Sequence, residues 1–203
     1  MDHDAEDRRP LRAGRRDALE NRQRILDTAL HLIEQHGVEH VSMNQIAQTA
    51  QIGPGTLYRH YRNKSELCLD LIKDNIRQLF DDIEEYLAHH TAAPPAERFK
   101  GVVHRFIGFR EKKLQLLAGI EQDPSNKTWP SRTPSPLYQE LHETFVNLFR
   151  EAVGEGGEAN SVFRADVLLT VLRSDTYVFQ RDVRGYSPQE LLDQICATFF
   201  PAP

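Results

Sequence analysis

Thr56, Tyr58, Arg59 and His60 gather a hydroxyl, a phenol, a guanidinium and an imidazole into one short span of the chain. A guanidinium donates two parallel N–H bonds to a planar pair of acceptors such as the edge of guanine, whereas hydroxyls and imidazoles more often hold phosphate oxygens. Pro54 and Gly55 stand immediately before them. Proline suits the first position of a helix, where its missing N–H would have no partner anyway. Glycine inside a helix costs roughly 0.5–1 kcal/mol relative to alanine, so Gly55 needs a reason. A loosened turn is one reason; close approach of the backbone to a partner is the other, and the polar cluster behind it makes that the better account. Lys64 follows at the start of the next helix, where free N–H groups and the helix dipole attract an anion. An ordinary solvated lysine is the alternative reading there.

Local rules position this cluster tightly. Ile25, Ala29, Leu32 and Ile33 fall on one helical face, which predicts a helix from about Asn21 that stops at Gly37. Ser42 is placed to cap a second helix, with Gln45 three residues on and Val41 and Ile46 as a hydrophobic staple. Met43, Ile46, Ala47 and Ala50 give that helix an inner face, and Gln51-Ile52-Gly53 makes a turn. The short helix that starts at Pro54 ends near Tyr61, and Leu57 and Tyr61, four apart, face inward. Thr56, Arg59 and His60, with Tyr58 on the flank, then face outward. Asn63 and Glu66 open a long helix through roughly Leu87. Two short helices, a tight turn and an outward polar edge form the layout of a helix-turn-helix that enters the major groove of DNA.

The 203 residues carry a net charge of −5, which by itself argues against a nucleic-acid partner, but the charge is unevenly spread. From Arg8 to Lys64 there are ten lysines and arginines against five acids, whereas from Ser65 onward there are fifteen against twenty-one. A basic end on an acidic body suits a protein that holds DNA at one end. Cys68 and Cys196 lie far apart and lack metal or redox spacing, so both read as core residues of a reduced, cytoplasmic protein. No apolar run approaches a membrane span. Nor is there a phosphate-cradling glycine loop, a nucleophile elbow or a His/Cys/Asp cluster with ligand spacing, so neither an enzyme, a metal site nor a cofactor is expected.

Beyond the break at His89 to Pro95, helical periodicity resumes at Phe99, Val102, Val103, Phe106 and Ile107, and continues through Leu114, Leu117 and Ala118. Asp123 to Pro136 reads as a loop. Leu137, Leu141, Phe145, Leu148 and Phe149 restore the stripe; two further amphipathic helices follow, at about 162–183 and 188–200. The expected fold is all-α. It has a disordered basic arm over residues 1–18, a helix-turn-helix domain over 19–66 and a larger helical domain over 67–203.

Thr56-Leu57-Tyr58-Arg59-His60-Tyr61-Arg62-Asn63-Lys64-Ser65-Glu66-Leu67, with Ala29, Gly37, Ile46-Ala47 and Gly53 upstream, resembles the TetR family of bacterial transcriptional regulators over about Arg22 to Leu71. The resemblance implies a three-helix DNA-binding domain joined to a helical domain that binds a small-molecule effector and pairs with its twin through the last two helices. It implies that Ser42 and Lys64 hold phosphates, while Asn44, Thr56, Tyr58, Arg59 and His60 touch bases or backbone, with the duplex close to Gly55. It implies an effector cavity among the helices of about Asp70 to Val153, with Phe106, Phe109, Leu117, Trp129, Tyr138, Phe145 and Phe149 as walls and His104, Arg105, Arg110 and His142 as polar anchors. Many of those aromatics would serve equally well as core. Arg8 to Arg16 would supply a minor-groove arm, or simply a solvated tail. Repression relieved by ligand is the family's usual sign; control by a protein partner is the rival.

Overall fold

The computed structural model describes residues 9–121, 136–153 and 158–200, and among them every regular element is helical. The chain divides between Leu71 and Ile72 into two compact units, a boundary that falls inside a helix rather than in a linker.

The first unit holds α1 (Arg9–His36), a 3-10 turn (Val38–His40), α2 (Met43–Thr49), α3 (Pro54–His60) and the opening turns of α4 (Lys64–His89). Its core is built from Ile25, Ala29 and Ile33 of α1, Ile46 and Ala47 of α2, Leu57 of α3, and Leu67 and Cys68 of α4, all buried. Helix α1 begins at Arg9, well before the start at Asn21 that the apolar spacing predicts. The first residues have no periodic apolar face, which is why the pattern could not show them as helical.

The boundaries follow the local chemistry. Gly37 adopts φ 81° as α1 ends, and its N–H donates to the Ile33 carbonyl. The Ser42 hydroxyl accepts the Gln45 N–H at 3.2 Å, capping α2. In the turn between α2 and α3, the left-handed residue is Gln51, at φ 54°, while Gly53 has an ordinary φ of −65°. The Asn63 side chain accepts the Glu66 N–H at 2.8 Å, while Glu66 reaches back to the Arg62 N–H. A polar tie crosses the unit: the Tyr61 hydroxyl and the Arg22 guanidinium both donate to the Asp70 carboxylate at 2.6 Å.

The second unit holds the rest of α4, α5 (Pro95–Glu121), α6 (Pro136–Val153), α7 (Glu158–Val171), α8 (Ser174–Val178) running into a π turn (Phe179–Val183), and α9 (Pro188–Phe199). Phe99 of α5 is its centre, with the rings of Phe145, Phe149 and Phe200 at 5.7, 5.3 and 4.9 Å. Arg164 of α7 lies over the Phe149 ring and donates to the Phe199 carbonyl, tying α7 to the end of α9. Gly101 lets α5 pass under the Tyr86 ring of α4, since a Cβ there would lie 2.1 Å from Tyr86 Cζ.

Two expectations for the C-terminal helices need correction. The single helix expected over 162–183 is broken after Val171 because the Ser174 N–H donates to the Glu121 carboxylate, at 2.6 Å, instead of to a helical carbonyl. Arg110, 3% exposed, binds the same carboxylate and the Ser174 hydroxyl, so α5 and α8 are clamped at this break. Second, the apolar face of α9, formed by Leu191, Leu192, Ile195 and Phe199, is buried within the chain, largely against α5. Among the described residues of the second unit, the large apolar side chains left exposed are instead Val162, Phe163 and Val167 of α7, Phe179 and Val183 of the π turn, and Tyr186.

Candidate nucleic-acid interface

Helix α3 has two unlike sides. Leu57 is fully buried and Tyr61, just past its end, is 6% exposed, so the back of the helix is fixed to the core. The front carries Tyr58, 48% exposed, with Arg59 exposed and Thr56 and His60 half-buried. The Arg59 guanidinium folds along its own helix, donating from Nε to the Gly55 carbonyl at 3.2 Å and from Nη2 to the Thr56 hydroxyl at 3.0 Å. Its Nη1 donors stay available, pointing from a side chain already partly ordered.

Gly55 has nothing within 4 Å of where a Cβ would stand. Packing inside the unit therefore does not require glycine there. Ser42 and Asn44 sit exposed at the start of α2. The Ser42 hydroxyl accepts one bond and retains its own hydrogen for an outside acceptor. Lys64 is differently placed from the solvated lysine or plain phosphate clamp that its neighbours suggest. Its ammonium donates to the carbonyls of Val38, at 2.5 Å, and Val41, at 3.0 Å, which fastens the start of α4 to the turn preceding α2. One N–H remains for an external anion. Nothing local in the sequence signals this tie, since its partners lie 26 and 23 residues away.

The residues expected to wall an effector cavity are differently distributed. Phe106 and Phe145 are buried at 2% and 0%, and Phe106 stacks on Phe109, which is 9% exposed. Tyr138 and His142 come together on α6 and both meet Asp166 of α7, at 2.8 and 3.2 Å. Burial, and then the bond to Asp166, pushes the Tyr138 hydroxyl up to about 12. Trp129 lies outside the described residues. Among the described residues, Phe106, Phe109, Tyr138, His142 and Phe145 are all absent from the lining of a cleft of about 590 Å³ between α4, the start of α5 and α6. Its floor is Phe80, Ile83, Leu87 and Leu148. Among the described residues no group of three or more His, Cys, Asp or Glu is placed to hold a metal ion, and no helix is long and apolar enough to cross a membrane.

Residues 25–71 match the family model described as bacterial regulatory proteins, tetR family. The HTH-type transcriptional regulator SAB2452 of Staphylococcus aureus (strain bovine RF122 / ET3-1) is 32% identical over 173 residues, covering 85% of this chain and 89% of that protein. Among solved structures, Thermus thermophilus FadR, a TetR-family transcriptional repressor in complex with lauroyl-CoA, superposes with a TM-score of 0.65 at 16% identity, covering 90% of this chain and 98% of that one. AibR in complex with isovaleryl coenzyme A and operator DNA gives a TM-score of 0.57 at 21% identity, covering 90% and 100%. Those two likenesses establish a shared fold, and the sequence relative and the matched helix-turn-helix establish descent. The chain is a DNA-binding transcriptional regulator of the TetR family.

Proposed function

We propose that this regulator is a repressor that binds its operator as a homodimer, with α3 in the major groove, and leaves it when a small molecule occupies the helical domain. The observation that carries the reading is the two-sided α3: Leu57 and Tyr61 hold it to the core while Tyr58 and Arg59 are exposed on the other side. Arg59 reads a base edge, Thr56 holds Arg59 and lies near the backbone, and Tyr58 and His60 contact phosphates or adjoining bases. Ser42, Asn44 and the remaining N–H of Lys64 hold the flanking phosphates. Gly55 lets the duplex approach the start of α3 closely.

One helix-turn-helix covers only a half-site, so a two-fold pair is needed for a full operator. The exposed apolar face of Val162, Phe163, Val167, Phe179 and Val183 supports pairing through α7 and the π turn, with the outer polar face of α9 alongside. The acyl-CoA ligands named for FadR and AibR support control from within the helical domain. Here the cleft between α4, α5 and α6 is the effector site, and its occupation shifts the population between two settings of the reading heads.

Selection of bound fragments from a random DNA library, followed by a screen of metabolites for release, tests the reading. The expected outcome is an enriched inverted repeat, bound by two chains and released by at least one compound. Enrichment of no sequence, or a repeat that one chain occupies alone, would overturn it.

A further inference from the structure

We infer that the cleft between α4, α5 and α6 selects an amphipathic cation, a ligand with a hydrophobic body and one positive head; this deepens the reading that the regulator is ligand-released and rests on it. The volume, about 590 Å³, lies within the usual range for a drug-sized ligand. The floor already named, from Phe80 to Leu148, is hydrocarbon, and Ala88 extends it. Covering that surface with an apolar body is worth about 25 cal/mol for each Å² of apolar area removed from water.

The rim is acidic. Glu84 of α4 and Glu140, Glu143 and Glu151 of α6 all line the opening, against a single cation, Arg98. Arg98 is already neutralised: its side chain is 14% exposed and paired with Glu151. Glu84, Glu140 and Glu143 make no ion pair among the described residues, so three negative charges on two facing helices remain uncompensated around an apolar floor. A low-dielectric wall strengthens the field of such charges at the mouth. An anionic thioester or a fatty carboxylate would meet like charge on entry, and a neutral lipid would gain no charge pairing from the rim. A positive head brings counter-charge to three carboxylates while its tail covers the floor.

The test uses the full chain, its selected operator and two probes with the same tail below their micelle concentrations, decyltrimethylammonium and decyl sulfate. Titration calorimetry should show one cation bound per chain, about tenfold or more tighter than the sulfate. The Glu84→Gln/Glu143→Gln variant should remove most of that preference while binding operator as the parent does, since both positions are exposed and far along the chain from α3. Equal or tighter binding of decyl sulfate, no binding of the cation, or a preference untouched by the glutamines would overturn the inference. Lauroyl-CoA is the third arm. If it releases the operator while the cation fails to bind, ligand control stands and the cation site falls. If the cation binds with the expected glutamate dependence but the operator stays bound, the site stands and release by ligand falls.

Discussion

Arg59 reaches the surface of α3 with two of its donors engaged by Gly55 and Thr56, so in the proposed complex it would meet DNA already oriented. Less side-chain freedom is then lost when it grips a base. Replacing it by alanine should weaken operator binding by about 1–3 kcal/mol and relax preference at one base pair, measured by fluorescence anisotropy on wild-type and mismatched operators. Gly55→Ala separates the two reasons for a glycine. With empty space around its Cβ position, the change should leave the fold intact or stabilise it by about 0.5–1 kcal/mol, yet weaken DNA binding if the duplex comes close. Lys64→Ala should do two things: lower the denaturation midpoint, because two carbonyls lose their donor, and reduce the salt dependence of DNA binding by about one charge. The exposed edge of α3 was readable from helical spacing, since Leu57 and Tyr61 four apart leave only one side for Tyr58 and Arg59. The tie from Lys64 to Val38 and Val41 was not, because a bond to a distant backbone carbonyl leaves no pattern in side-chain types.

At the scale of the element, capping chemistry was the most informative signal. Ser42 caps α2 as its sequence context indicates, and at the start of α9 Ser187 with Glu190 forms both halves of a capping box. Glycine was the less dependable signal: Gly53 marks the turn between α2 and α3, but the strained residue is Gln51 at φ 54°. Gln51→Gly should therefore stabilise the first unit by about 1 kcal/mol in urea denaturation. The break between α7 and α8 was hidden for a different reason. It is imposed by Glu121 from another helix, and a tertiary carboxylate taking the Ser174 N–H has no local signature. The Tyr61–Asp70–Arg22 tie makes a pH prediction. Burial, and then the bond to Asp70, raises the Tyr61 hydroxyl above its ordinary value near 10. The unfolded chain then loses this proton before the folded one does. The stabilisation is accordingly full below about pH 10 and falls as pH rises toward the folded value. The urea-midpoint difference between the parent and Tyr61→Phe should be constant from pH 7 to 9 and shrink at pH 11; a difference that grows with pH would contradict the assignment.

At the scale of the whole molecule, the basic stretch from Arg8 to Lys64 and the acidic remainder agree with a chain that meets DNA at one end. The face proposed for pairing was only partly readable. Both C-terminal helices have broad apolar stripes, and periodicity could not tell that α9 turns its stripe onto α5 while α7 leaves Phe163 67% exposed. A dimer through the α7 face should be split by Phe163→Asp together with Val183→Asp, giving a monomer in sedimentation velocity at micromolar concentration and a large loss of operator affinity. The cleft proposed as the effector site was the least readable feature. The aromatic residues expected to wall an effector cavity, Phe106 and Phe145, are buried, and the glutamates at the cleft look like ordinary solvated helix faces until the fold brings those of α4 and α6 to one opening. The central claim is that α3 reads base edges in the major groove. Methylation interference on the selected operator, which marks guanine N7 in that groove, tests it most directly. Methylation of guanines in two symmetric half-sites should block binding of the parent, and Arg59→Ala should lose the block at one guanine in each. Unimpeded binding to N7-methylated operator, or an Arg59→Ala pattern identical to the parent, would contradict it.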